Sequence, residues 1–164
     1  MNYYNQEPNY EHGDPQKIGV ILANLGTPDK PNSIALRKYL SQFLIDRRVI
    51  EIPRFIWCWI LYLIILVFRP AASAKKYKQI WTSKGSPLLV NAQAQSKLLN
   101  QYLSKKIKQP LEISLAMSYG NPSMKKAFNE LKTKNCTKII LFPLYPQYAA
   151  SSSASAMDSL WRIL

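Results

Sequence analysis

Two short segments carry side chains able to recognise a small molecule. Asn24-Leu25-Gly26-Thr27-Pro28 joins an amide, a hydroxyl and a turn glycine, while Tyr145-Pro146-Gln147-Tyr148 sets two phenols and an amide just ahead of Ser151, Ser152 and Ser153. The first segment lacks the glycine spacing of dinucleotide and P-loop sites, and only five glycines occur in the whole chain, which argues against a nucleotide cradle. Proton transfer near neutral pH usually falls to histidine. The one histidine, His12, stands before any apolar run. Together with Cys58 and Cys136 it cannot make a zinc finger, an iron–sulfur cluster or a disulfide framework from this chain alone. On residue types alone the second segment reads as a turn with a helix cap, and any metal chemistry has to borrow ligands.

The two segments need elements to hold them. Lys17 to Asn24 (KIGVILAN) is a continuous apolar run rich in Ile and Val, the pattern of a strand buried on both faces, and Gly26 to Pro28 turn the chain after it. Asn32 or Ser33 can cap a helix whose Leu36, Tyr39, Leu40, Phe43 and Leu44 share one face. Ala71 to Trp81 reads as helix, and Ser86-Pro87 supplies a cap with proline at the first helical position for a helix to about Ile107. Leu111 to Met117 reads as a second strand, Asn121-Pro122 as another cap-plus-proline start, Lys138 to Leu144 as a third strand, and a last helix begins near Ser153. This order predicts the α/β class: an open, mostly parallel sheet with flanking helices and ligand-binding loops at the carboxyl ends of the strands. The loops concerned are 24–29, 118–122 and 145–153. Ala154 to Leu164 breaks off in mid-amphipathic pattern with no capping residue, so the sheet is expected to be half of a larger whole.

Residues 1–16 are polar, without an apolar run, and read as a flexible tail rather than a secretory signal. The 164 residues hold 22 Lys and Arg against 9 Asp and Glu, a net charge of +13, which calls for an anionic partner. Residues 1–17 carry one cation and three acids, so the basic character belongs to the folded domain expected over 17–164. Arg47, Arg48, Lys75, Lys76 and Lys78 are scattered and come with no recognition motif, which argues against nucleic acid. A solvated face, or attraction to anionic lipid, is the more economical reading.

The most apolar stretch is the 14-residue run Phe55 to Phe68, bracketed by Pro53, Arg54, Arg69 and Pro70. A spanning helix needs about 20 apolar residues, so the run is expected to be too short to cross a bilayer. Two readings remain: a buried core helix, or an exposed lip over 53–70 in which Phe55, Trp57, Trp59, Leu61 and Tyr62 touch a bilayer or an apolar ligand. The lip is favoured, because a chain this small has no elements left to cover every face of such a helix.

Taken in order, NLGTP at Asn24 to Pro28, IDRRVIEIP at Ile45 to Pro53, the apolar lip ending in Arg69-Pro70, Lys76-Tyr77 leading to Gly85-Ser86-Pro87, Met117-Ser118-Tyr119-Gly120, and LYPQY at Leu144 to Tyr148 resemble ferrochelatase of the bacterial, Gram-negative type. The resemblance covers Lys17 to Leu164. It implies a role in inserting Fe²⁺ into protoporphyrin IX to make protohaem, in a cleft between two similar Rossmann-like domains of which this chain matches the first. The family's metal-inserting histidine, in a Ser-x-His-Gly context, and its acidic partner belong to the other domain, so no catalytic residue and no metal ligand is expected in this chain.

The same resemblance implies that Arg69, Tyr77 and Ser86 meet the porphyrin propionates, that Leu25 faces the ring, and that Tyr145, Gln147 and Tyr148 line the cleft floor. Relatives that use coproporphyrin carry an iron-ligating tyrosine at the Leu25 position, so leucine there implies protoporphyrin. Ala149-Ala150-Ser151 stands where cluster-containing relatives have a cysteine, which argues against a 2Fe–2S cluster. No bound cofactor is expected, with Fe²⁺ and protoporphyrin IX as substrates, a cytoplasmic location, and peripheral contact with an anionic inner membrane. The alternative is a non-catalytic porphyrin- or membrane-binding fragment, inactive without the missing C-terminal half.

Overall fold

The apolar run at the start of the domain becomes the central strand of the sheet. The computed structural model describes residues 16–164, so the expected tail, apart from Gln16, and His12 lie outside the described residues. β1 (Ile18–Thr27) is flanked by β2 (Leu111–Gly120) and β3 (Lys138–Pro143), all parallel, in the order β2-β1-β3. Ile18 lies opposite Leu111 and Lys138, so the three strands start together; β3 ends at Pro143 opposite Ala23, while β1 and β2 stay paired to Thr27 and Gly120. The α/β class with an open parallel sheet is as the sequence reading has it. β1 and β2 run on to Thr27 and Gly120, past the expected ends at Asn24 and Met117.

Among the described residues, eight helical segments cover the sheet and its upper end. They are α1 (Ser33–Ile45), α2 (Arg54–Ile60), a π turn (Leu61–Ile65), α3 (Leu66–Ile80), α4 (Pro87–Lys106), α5 (Met124–Thr133) and α6 (Ser155–Trp161), the last entered through a second π turn (Ala150–Ala154). Alternation along β1 sends Ile21 and Ala23 to one face, where they pack with Ala116, Ala127, Leu131 and Ala156. Val20 and Leu22 face the other way, and α4 packs against β1 and β2. A second core sits beyond the strand ends: Tyr39, Leu40, Leu44, Trp57, Leu61, Leu66 and Tyr119, with Leu25 and Phe43 against it. Trp57 Nε1 donates to the Leu44 carbonyl (2.7 Å) and ties α2 to the end of α1.

The helix caps differ from expectation in two places. Asn32 caps α1 as expected, its Oδ1 accepting from Ala35 N at 2.9 Å. Ser86 holds the cap position of α4, but its hydroxyl caps nothing because it is engaged by Thr27. At α5 the cap is Ser123 rather than Asn121: the Asn121–Pro122 bond is cis, and Ser123 Oγ accepts from Lys126 N.

The largest correction concerns the apolar run. Pro53 and Pro70 were expected to bracket it, yet Arg54–Ile80 is one continuous 27-residue helix, roughly 40 Å long at 1.5 Å per residue. By length and composition it could cross a membrane, which overturns the expectation that it is too short. Pro70 lies inside the helix four residues after Leu66, whose ψ of −7° departs from the regular helical value at the end of the π turn. The buried side chains Trp57, Leu61, Leu66, Pro70 and Ala74 are spaced by four, five, four and four residues. The step of five coincides with the π turn, whose wider pitch absorbs the extra residue and keeps the stripe on one side. Phe55 (78% exposed), Trp59 (63%), Tyr62, Leu63, Val67 and Phe68 (71%) point the opposite way, into solvent. Both readings of the run are therefore half right. Trp57 and Leu61 are core rather than lip, while Phe55, Trp59 and Tyr62 are exposed.

Candidate functional site

The carboxyl ends of β1 and β2 approach more closely than side chains permit. Gly26 (φ 107°) pairs with Tyr119, and a Cβ on it would sit 1.7 Å from the Tyr119 carbonyl oxygen. Gly120 (φ 88°) pairs with Thr27, where a Cβ would fall 2.6 Å from the Thr27 carbonyl oxygen. Glycine is required at both places by sterics and by backbone conformation. This close pairing fixes the end of β1 that holds Leu25, whose N–H donates to Asn24 Oδ1 (2.8 Å) and whose half-buried side chain rests on the second core.

Around this strand end the chain assembles hydroxyls from four elements. Tyr39, buried on α1, donates to the Gly26 carbonyl at 3.2 Å. Thr27 Oγ1 donates to Ser86 Oγ at 2.8 Å, both residues being buried. Tyr77 from α3 is half-buried and lies 6.4 Å from Trp81, ring centroid to ring centroid. Tyr145, after β3, is half-buried with its OH 3.5 Å from Ser118 Oγ at the end of β2.

Burial pushes the Tyr39 phenol well above the ordinary range, and the nearby Tyr77 and Tyr145 hydroxyls push it further. Burial also raises Tyr77 and Tyr145. All three phenols therefore stay neutral through the physiological range. They can donate hydrogen bonds but are not bases.

The structure thus brings Leu25, Tyr77, Ser86 and Tyr145 to one end of the sheet. Arg69 stands on α3 two turns before Tyr77, exposed, with no hydrogen bond or ion pair to the described residues, so its guanidinium is available to an incoming carboxylate. Gln147 and Tyr148 are exposed, and Tyr148 (73%) lies near Arg48 rather than with the phenol cluster. Among the described residues no three His, Cys, Asp or Glu side chains converge as a metal site.

Two features escaped the sequence reading. Tyr39 was placed only as one apolar position of the α1 face, although it closes the Gly26 loop. Asp46, directly after α1, accepts from Arg48 N (2.8 Å), from Tyr119 OH (2.8 Å) and from Ser155 Oγ, while Tyr119 OH and Ser155 Oγ lie 2.7 Å apart. Burial alone would raise the Asp46 carboxyl, but these donors and the Arg162 charge outweigh it and hold the group below its usual value. The network joins α1, β2 and α6 under the second core. A lone acid in the basic run Asp46-Arg47-Arg48 was the one available signal. Arg48 also grips Asp158 of α6 through Nε (2.7 Å) and Nη2 (3.0 Å), a bidentate pair at the surface.

Comparison with known proteins bears on this arrangement. The ferrochelatase family model matches residues 17–164. The chain is 54% identical over 164 residues to the ferrochelatase of Methylobacillus flagellatus, covering all of this chain and 48% of that protein. It is 51% identical over 164 residues to the ferrochelatase of Chromobacterium violaceum (all of this chain, 45% of that one). It is 48% identical over 160 residues to that of Alcanivorax borkumensis (98% and 47%). The chain spans about half the length of the curated relatives it matches. With the family matched across the whole α/β domain, at these identities and in step with the sheet-end loops, this chain belongs to the ferrochelatase family.

Proposed function

We propose that this chain supplies the porphyrin-binding N-terminal half of a ferrochelatase, a lyase that inserts Fe²⁺ into protoporphyrin IX in haem biosynthesis. The observation that carries the reading is the set of groups near the ends of β1 and β2: Tyr39 on the Gly26 carbonyl with the Tyr77 and Tyr145 phenols close to it, Ser86 on Thr27, Leu25 against the second core, and unpaired Arg69 two turns before Tyr77 on α3. Leu25, near the end of β1, can offer hydrocarbon to a flat macrocycle and offers iron no ligand. Neutral phenols and the Ser86 hydroxyl can donate to propionate oxygens, and Arg69 can pair with their charge.

Metallation also removes two protons from pyrrole nitrogens, which calls for a base that is deprotonated near neutral pH. Tyr39, Tyr77 and Tyr145 are pushed the wrong way for that task. The base therefore comes from the other half of the enzyme, and this chain alone binds without turning over. The exposed face of Arg54–Ile80 supports peripheral contact with an anionic inner membrane from the cytoplasmic side: its opposite face is docked on the domain, so the helix lies along the surface rather than spanning.

The test is complementation. The chain mixed with the separately produced C-terminal half of the Methylobacillus flagellatus relative should form metalloporphyrin anaerobically from Fe²⁺ and protoporphyrin, while neither piece does so alone. Turnover by this chain alone would overturn the division of labour. No turnover from a mixture shown to co-migrate on gel filtration would overturn the functional assignment.

A further inference from the structure

We propose that the cleft between the end of α1, the start of α2 and α6 is a binding site for a small oxyanion, either a phosphate or a carboxylate group. The cavity is about 510 Å³ and is lined by Arg47, Arg54, Lys125 and Arg162, with Asp46 as its only acid. Four cations face one carboxylate, and that carboxylate is occupied, since Arg48 N, Tyr119 and Ser155 already donate to it. The second observation is independent of the charge count. Arg54 Nη1 is buried and has no hydrogen-bond partner among the described residues.

A buried guanidinium N–H without an acceptor is costly, and such groups in folded proteins are rare enough that each calls for an explanation. Asp46 cannot supply the acceptor without giving up donors it already has. An oxyanion can, because a guanidinium presents paired N–H groups that match the two oxygens of a carboxylate or phosphate. The cavity lies within the usual size range of ligand sites, so the oxyanion can carry a small organic part. Its floor is made by Met117, Ser118, Tyr119 and Gly120, the strand end that also carries the Ser118–Tyr145 contact, which sets the site beside the porphyrin wall without using Leu25, Tyr77 or Ser86.

The experiment is calorimetric titration of the chain with inorganic phosphate, and separately with succinate, at ionic strength matched with sodium chloride. Saturable one-to-one binding of either ligand is expected: phosphate alone assigns a phosphoryl ligand, and succinate alone a carboxylate. Arg54→Gln should weaken that binding by about tenfold or more, the loss of a charge-assisted hydrogen bond. Arg162→Gln, an exposed position after α6, should weaken it in the same direction and serves if the Arg54 variant misfolds. Lys105→Gln, exposed at the end of α4 and outside the cleft, should leave it unchanged. Saturation by neither ligand would overturn the proposal, as would an equal loss on Lys105→Gln, which would reduce the effect to general screening. Porphyrin is absent from every arm, so this result stands or falls apart from the chelatase reading.

Discussion

Arg69 is the residue whose role is most open to direct trial. Its side chain is exposed and unpaired, so replacing it should cost the fold little. A propionate that meets it beneath a bound ring would be partly shielded, and Arg69→Ala should then weaken free-acid porphyrin by roughly 1.5–3 kcal/mol. The dimethyl ester should lose much less. Fluorescence-quench affinities for both ligands decide between a propionate contact and a plain surface residue, and equal losses would remove Arg69 from the site. Asp46 makes the complementary case for pH. Its folded-state carboxyl is held below its unfolded value, so its contribution is present above the unfolded value and is lost as the pH falls through the folded one. Urea denaturation from neutral pH down to about pH 2 should show Asp46→Asn less stable at neutrality and less sensitive to acid. Some acid sensitivity should persist, because Asp158 and Glu112 are lowered in the same direction by Arg48 and by Lys134 with Lys17. An unchanged acid slope would contradict the network. Leu25, Ser86 and Tyr145 stand in short motifs that the family resemblance singles out as proposed contacts. Asp46, Tyr119 and Ser155 could not be picked out, since the partners stand 73 and 109 residues apart and only folding brings them together.

At the scale of elements, periodicity was a good guide wherever one face of a regular helix or both faces of a strand are buried. β1 and α1 fall where their patterns put them because burial and local geometry agree there. The helix over Arg54–Ile80 was misjudged for two physical reasons. Proline reads as a terminator in sequence, yet Pro70 lies inside the helix just after the irregular turn at Leu66, and a π turn shifts the inward stripe by one residue where a fixed 3.6-residue period expects none. The outcome separates variants within one run. Leu61 is fully buried, so Leu61→Asp should prevent stable folding by placing an unpaired charge in the core. Trp59→Asp and Phe68→Asp, on the exposed face, should leave the circular dichroism and melting temperature nearly unchanged while reducing flotation with anionic vesicles. Normal flotation by both exposed-face variants would show that this face does not touch lipid.

At the scale of the whole molecule, the described residues bring three neutral phenols to the end of the sheet, and the proton acceptor is proposed to lie in the other half. The three phenols, Tyr39 buried and Tyr77 and Tyr145 half-buried, are donors, the one histidine lies outside the described residues, and the net charge of +13 suits an anionic ligand and an anionic surface. Composition made the basic character plain. The proposed division between binding and bond-making rests on where the hydroxyls converge, beside the close pairing of Gly26 with Tyr119 and of Gly120 with Thr27. The most direct test is titration of the chain alone with protoporphyrin IX, followed by anaerobic addition of Fe²⁺ or Zn²⁺. The account predicts saturable quenching that weakens on Arg69→Ala and a porphyrin spectrum that stays metal-free after the ion is added. Failure to saturate, or conversion to metalloporphyrin by this chain alone, would contradict it.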